Sequence, residues 1–223
     1  WCWKAGTTAV PSGGSITPSA CSFNTTSGFG IYVFTGTGAN ATFAHGLTHA
    51  PEIMFFKRLT STQTWGCYNN AAGNGMMLVL NNTSAQAGPH AQYWNSTSPT
   101  TTLVHLGTDA YQNYSGATHV CYCFSSVKGF SKCGGYTGNG NADGAFVYTG
   151  FRPAYVMIKC NSASGNSWNI YDHRRPTTYY GNIVTELLEA DTSNVTLTSS
   201  SFDIDLLSNG FKCMGTESGI NQN

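Results

Sequence analysis

Four groups of residues have types and spacings that could do chemistry. Asp203-Ile204-Asp205 puts two carboxylates on one face of a strand. Glycoside hydrolysis needs carboxylates opposed across a cleft, and no second acidic cluster is present, so a solvated strand face is expected. Asn139-Gly140-Asn141-Ala142-Asp143-Gly144 opens like a calcium loop, but position twelve is Gly150 where a bidentate Glu is needed, so a hairpin turn is expected. Six histidines (His45, His49, His90, His105, His119, His173) are scattered without metal-ligand spacing. His45 and His49 would share a helix face, but Gly46 and Pro51 point to a loop. Asp172-His173-Arg174-Arg175 is the one charge knot, and a surface salt bridge is its expected role. No serine sits in a G-x-S-x-G elbow. The expectation is a protein that is not an enzyme, with no catalytic residues, no metal site and no cofactor beyond covalent glycans.

Bulk properties exclude further classes. Charged residues make up 9% of 223, against about 25% in typical soluble domains, and formal net charge is zero. Nucleic acid demands a surplus of Lys and Arg to displace counterions, and an anionic membrane surface demands a basic patch, so neither partner is expected. No apolar run approaches the ~20 residues of a membrane-spanning helix. Solubility then rests on Ser, Thr, Asn and Gly, or on attached sugars. Asn24, Asn40, Asn81, Asn82, Asn95, Asn113 and Asn194 each stand two before Ser or Thr, the acceptor pattern for N-linked glycans. With the low charge, they tilt the reading towards an extracellular, glycosylated protein. The eight cysteines do not form the paired C-x-x-C sets of a zinc site. Cys121 and Cys123 share a strand face and cannot both pair with one neighbour. For most of the eight, buried thiol and disulfide remain equally open readings. Residue 1 is Trp, which is read as processing or cropping of what came before.

The elements that must position these residues are duplicated. Gly28-Phe29, Thr35-Gly36-Thr37-Gly38, Phe43 to Leu47, Ala50-Pro51 and Ile53 to Lys57 recur about a hundred residues later. The second copies are Gly129-Phe130, Thr137-Gly138-Asn139-Gly140, Phe146 to Phe151, Arg152-Pro153 and Tyr155 to Lys159, and a Trp follows each copy (Trp65, Trp168). Alternation and β-branched or aromatic enrichment predict strands at 29–34, 40–45, 52–58, 64–69, 76–80, 91–95, 101–106 and 118–125. In the second copy they fall at 130–136, 144–149, 154–160, 167–172, 194–197, 201–206 and 210–214. Residues 184–190 alone look helical. The fold class is therefore all-β: two tandem antiparallel β-sandwiches, Ig-like or jelly-roll-like, with an N-terminal donor strand. The predicted boundaries are 1–6 donor strand, 7–27 extended linker, 28–127 first sandwich and 128–223 second sandwich. Trp65 and Trp168 are expected between the sheets. Tyr93, Trp94, Tyr179 and Tyr180 could stack on sugars, and packing explains them equally.

The copies differ at their ends. The first closes with a turn and the strong strand His119-Val120-Cys121-Tyr122-Cys123-Phe124, and 128–223 contains no counterpart. Trp1-Cys2-Trp3-Lys4 matches Tyr122-Cys123-Phe124-Ser125 in type and alternation. The expected assembly strand is thus Trp1, Cys2, Trp3, Lys4, Ala5 and Gly6, inserted into the second sandwich of an identical subunit. Such a contact is head-to-tail, and without ring closure it makes a filament. Two tryptophans would bury about 400 Å², on the order of 10 kcal/mol before ordering costs.

Several of these motifs resemble a family of repeated β-sandwich modules in bacteriophage tail-fibre and other virion-surface proteins. They are Trp3-Lys4-Ala5-Gly6, Gly28-Phe29, His45-Gly46-Leu47, Gly129-Phe130-Ser131-Lys132, Tyr148 to Ala154, and Leu207-Ser208-Asn209-Gly210-Phe211-Lys212. The arrangement is also similar to glycosylated extracellular filaments built from two Ig-like domains by donor-strand exchange. These resemblances imply a structural or adhesive role, a cell-surface or virion-surface location, and identical subunits or surface glycans as partners. The leading expectation is a structural filament subunit; the alternative is a tail-fibre or decoration protein with a glycan-binding, adhesive role.

Overall fold

A computed structural model of the chain describes residues 3–175 and 181–223; Trp1, Cys2, Tyr179 and Tyr180 lie outside them. The fold is all-β with antiparallel ladders, and among the described residues it has three single-turn α-helices and a 3-10 turn at Ser200–Phe202. It divides into two compact units, one of residues 1–80 and 86–134, the other of residues 81–85 and 135–223.

In the first unit the strands are β1 (Ala20–Asn24), β2 (Phe29–Thr35), β3 (Ala41–Ala44), β4 (Ile53–Arg58), β5 (Gly66–Asn69), β6 (Leu78–Val79), β7 (Leu103–Leu106) and β8 (Thr118–Phe124). Helical turns α1 (Ala91–Trp94) and α2 (Ala110–Asn113) flank β7. The main sheet runs β1-β2-β8-β4-β5-β6, and β3 pairs with β7 separately. Strand β8 is the central member. Its alternate side chains His119, Cys121 and Cys123 are fully buried, facing Phe34, Tyr32 and Gly30 on one side and Arg58, Phe56 and Met54 on the other. Phe43, Val104 and Leu106 come from β3 and β7 and are likewise fully buried.

In the second unit follow β9 (Phe146–Tyr148), β10 (Tyr155–Lys159), β11 (Trp168–Asp172), β12 (Ile183–Val184), β13 (Glu186–Glu189), β14 (Leu197–Thr198), β15 (Ile204–Leu207), β16 (Gly210–Cys213) and helical turn α3 (Ser218–Asn221). Two four-stranded sheets form, β10-β11-β13-β14 and β12-β15-β16-β9. Their core is Val156, Ile158, Tyr171, Leu187, Ile204, Leu206, Phe211 and Cys213.

Several sequence expectations are corrected. Residues 7–27 are not a linker. Thr7 bridges Phe23, the Ile16 amide donates to the Thr42 carbonyl, and β1 pairs with β2. Ile16, Cys21 and Phe23 are buried, because apolar residues among the Ser and Gly still find one face to cover. Residues 91–95 form α1 rather than a strand. Tyr93 and Trp94 are both buried, which consecutive residues of a strand cannot be on one face but residues of a helical turn can. Within 184–190 the chain forms the end of a strand at Val184 and a strand over Glu186–Glu189 rather than a helix, with Leu187 and Leu188 paired to Leu197 and Ile170. Helix propensity in Glu-Leu-Leu-Glu yields there to ladder pairing. Residues 130–136 do not form a strand. Trp168 is buried as expected, but Trp65 lies outside the core, half-buried and stacked on Tyr122 at 6.2 Å. The tryptophan between the layers of unit 1 is Trp94, fully buried, whose indole N–H donates to the Met76 carbonyl at 2.7 Å.

Candidate functional site

The repeat is most exact at a buried asparagine in each unit. In unit 1, α2 ends at Asn113. Its Oδ1 accepts from the Thr37 amide at 2.8 Å, and its Nδ2 donates to the carbonyls of Ala39 and Gly107, each at 2.7 Å. Its own carbonyl accepts from the Gly38 amide at 2.8 Å. In unit 2, α3 ends at Asn221. Its Oδ1 accepts from the Asn139 amide at 2.9 Å, its Nδ2 donates to Asn141 at 2.7 Å and Gly215 at 3.0 Å, and its carbonyl accepts from the Gly140 amide at 2.8 Å. Gly36 and Gly138 pass directly beneath these clamps, where a Cβ would overlap the backbone at Tyr114 and Asn221 respectively. Thr-Gly-X-Gly recurs because it closes the same knot twice.

From that shared landmark the units diverge. In unit 1 the chain leaves Asn113, turns, and enters β8, which fills the place between β2 and β4. In unit 2 the counterpart of β4 is β10: Pro153, Val156, Ile158 and Lys159 stand where Pro51, Met54, Phe56 and Lys57 stand. Among the described residues β10 pairs only with β11, so its other edge carries no ladder. Val156 and Ile158 face the core beside that edge. A strand edge without a ladder is a template for another strand.

The leader rests on unit 1. Trp3 meets Phe124 edge-to-face at 5.3 Å and Phe29 at 6.2 Å, and the Lys4 carbonyl accepts from the Ser27 hydroxyl at 3.0 Å. Beyond the Thr7–Phe23 bridge, Lys4 and residues 6–10 are exposed, and Ala5 is half-buried. Among the described residues these two ring contacts, that hydrogen bond and the Thr7–Phe23 bridge tie it to unit 1.

Residues 1–223 match a family described as a domain of unknown function, DUF7483. The chain belongs to the DUF7483 family. No curated protein and no solved structure matches it. The one DUF7483 match spans both units, so the duplication lies within the family's domain.

Elsewhere in the DUF7483 chain the chemistry-bearing residues separate. Asp203 and Asp205 are half-buried rather than solvated, and each has an Oδ1 shielded from water. Burial, and then the charge of Asp205, pushes the Asp203 carboxyl up. The Asn139–Gly144 stretch is a turn, with Asn139 Nδ2 donating to the Asp143 carbonyl at 3.0 Å and Asp143 paired to Lys212. His45 and His119 are fully buried. His45 Nδ1 accepts from the Leu47 amide at 3.1 Å and Nε2 faces the Thr100 carbonyl at 3.1 Å; burial lowers its pKa. His119 Nδ1 faces the Ala117 carbonyl at 3.0 Å, the ring stacks on Phe34, and burial lowers its pKa too. No group of three His, Cys, Asp or Glu among the described residues could hold a metal ion.

Of the acceptor asparagines, Asn40, Asn81, Asn95 and Asn194 are exposed, while Asn24 and Asn82 are half-buried. Asn113 is corrected: its amide is enclosed and both Nδ2 hydrogens are engaged, so it is a structural clamp that a glycan cannot reach in the folded chain. The described cysteines are all free thiols, and Cys121 and Cys123 lie 3.5 Å apart on one strand face. Tyr93 and Trp94 are buried in the core and unavailable to sugars.

Sequence reasoning missed the clamp. The signal that could have found it is an acidic residue four before an Asn, two after a Gly, in both repeats: Gly107, Asp109, Asn113 and Gly215, Glu217, Asn221.

Proposed function

We propose that the protein is a structural subunit of an extracellular fibre in which unit 2 takes up a β-strand along the free edge of β10. The observation that carries this reading is the contrast between β4, which pairs with β8 and β5, and β10, which among the described residues pairs with β11 alone. An added strand gains main-chain hydrogen bonds from the edge and pockets for alternate side chains over Val156 and Ile158. We assign the strand to residues Trp1–Gly6 of a neighbouring copy, whose types follow those of β8. The leader's place on its own unit 1 competes with donation, so assembly requires Trp3 to leave Phe29 and Phe124. In that exchange the Trp3 ring contacts and the Ser27–Lys4 hydrogen bond are given up for a ladder along β10. Exposed Asn40, Asn81, Asn95 and Asn194 are the sites that would carry sugar on such a fibre.

The test is electron microscopy and sedimentation of the full chain beside a chain lacking residues 1–6. Fibres with an axial repeat from the full chain, and monomers from the shortened one, support strand donation. The opposing outcome is that removal of the leader only lowers the melting temperature of unit 1 and leaves assembly unchanged. The leader would then be a cover for unit 1, and the proposal would fail.

A further inference from the structure

We infer that unit 2 carries a binding site for the oxyanion groups, carboxylate or sulfate, of an acidic polysaccharide, centred on Arg152 and His173. This inference is independent of strand uptake, since it uses neither the β10 edge nor the leader.

The chain has four arginines; Arg152 lines a depression together with His173, and Arg174 and Arg175 follow His173 directly in the chain. Arg152, Pro153, Ala154 and His173 line an open depression of about 230 Å³. A narrow cleft sharing Arg152 and His173 continues past Asn182 and Ile183. The volume lies below the roughly 300–1,000 Å³ typical of sites for drug-sized ligands, which suits one small unit of a polymer rather than an enclosed molecule. His173 is held in place by its backbone, whose amide donates to the Ala154 carbonyl at 3.2 Å, and its Nδ1 lies 3.2 Å from the same oxygen.

The charges are not balanced locally. Asp172 Oδ1 accepts from the amides of Arg174 and Arg175 at 2.9 and 2.8 Å, and Oδ2 pairs with the Arg175 guanidinium at 3.0 Å. One carboxylate thus answers one guanidinium. Arg152 and Arg174 are exposed, and neither has an ion-pair partner among the described residues. Guanidinium groups present planar donor forks that match carboxylate and sulfate oxygens.

The duplication supplies the control. In unit 1 the same turn forms with Asn69 in place of Asp172: Asn69 Oδ1 accepts from the Ala71 amide at 2.8 Å. There Ala71 and Ala72 occupy the positions of Arg174 and Arg175, and Ala50 precedes Pro51 as Arg152 precedes Pro153. The turn therefore folds without arginine. A chain with only 9% charged residues has placed cations at one copy of a turn that does not need them. A nucleic-acid partner is disfavoured, because a handful of cations on a neutral chain releases few counterions.

The experiment is titration calorimetry of the full chain against polygalacturonate, dextran sulfate and neutral dextran, with inorganic sulfate as the free-ion arm. Binding to one or both charged polymers, none to neutral dextran, and at least a tenfold loss in an Arg152→Ala/Arg174→Ala double variant is the expected result. Preference for polygalacturonate or dextran sulfate identifies the oxyanion. Lys128→Ala/Lys132→Ala in unit 1, which likewise removes two exposed cations, serves as the matched charge control and should leave binding unchanged. Both substituted side chains are exposed, and an unchanged near-UV circular dichroism spectrum certifies the fold. Equal binding by the double variant, equal binding to neutral dextran, binding of free sulfate alone, or no binding to any polymer each overturns the inference.

Discussion

Asn113 and Asn221 each bind two backbone carbonyls and one backbone amide, one of the carbonyls belonging to a buried glycine, Gly107 or Gly215. Leaving a buried carbonyl such as that of Gly107 or Gly215 unsatisfied costs on the order of 1–3 kcal/mol, so Asn113→Ala or Asn221→Ala should destabilise its own unit by about that much, read by urea titration. Trp94→Ala should cost about 3–5 kcal/mol, the range for a large core side chain, whereas Trp65→Ala, on the outer face against Tyr122, should cost about 1 kcal/mol. The buried histidines give a pH dependence with a definite sign. His45 and His119 have folded pKa values below the ordinary 6.5, so their neutral forms fit the fold at pH 7. As pH falls below about 6.5 the unfolded chain gains protons that the folded chain resists, and stability is lost progressively towards the folded pKa. Asp109 acts oppositely: burial raises its carboxyl, so its contribution is complete at low pH and is lost as pH rises past 3.8. Between pH 7 and 5 the histidines should dominate unit 1. A His45→Gln/His119→Gln chain should show a flatter stability profile over that interval, though lower at neutral pH.

Strands β4 and β10 make the same inward pattern, with Met54 and Phe56 in one and Val156 and Ile158 in the other, but differ in their neighbours. Backbone amides paired on both sides open only with the sheet, while those on an edge open locally. Hydrogen exchange should therefore be faster across residues 155–159 than across 53–58 in the unassembled chain. If strand uptake occurs, residues 155–159 should become protected on assembly while 53–58 stay unchanged. Protection appearing at β9 instead, where Phe146 and Tyr148 are exposed, would move the contact to that strand and count against the β10 edge. Much of this scale was legible in the sequence. The Thr-Gly-X-Gly and X-Pro marks located β2 to β4 and β9 to β10, because turns and glycine contacts are local. α1 was not legible, since a pair of aromatics fits a strand or a helical turn, and only the surrounding core decides that both must face inward. The strand character of Glu186–Glu189 came likewise from its partners β11 and β14, against its own helical preference.

Across the whole molecule, formal net charge is zero and the proposed strand contact is apolar and main-chain, so salt should scarcely alter assembly. Polysaccharide binding through exposed arginines should weaken sharply as ionic strength rises from about 0.05 to 0.5 M, where the screening length shrinks below ~5 Å. Measuring both on one preparation separates the two proposals: loss of assembly with retained polymer binding, or the reverse, assigns failure to one of them. The mass lost on enzymatic deglycosylation of secreted material should come from Asn40, Asn81, Asn95 or Asn194 and never from Asn113, which peptide mapping checks.

By itself the sequence determined the period-two alternation, the duplication and the absence of a surplus of charge, because each is a property of residue type and spacing along the chain. The tertiary structure decided the rest. It made Asn113 a clamp rather than a glycan acceptor, drew Ile16, Cys21 and Phe23 of an expected linker into the core, and laid Trp3 on Phe29 and Phe124. Among the described residues it also left β10 with one ladder partner where β4 has two. The physical reason is that burial and hydrogen-bond satisfaction are set by residues far apart in sequence: Asn113 answers Thr37 and Ala39 across more than seventy positions. No local pattern carries that information.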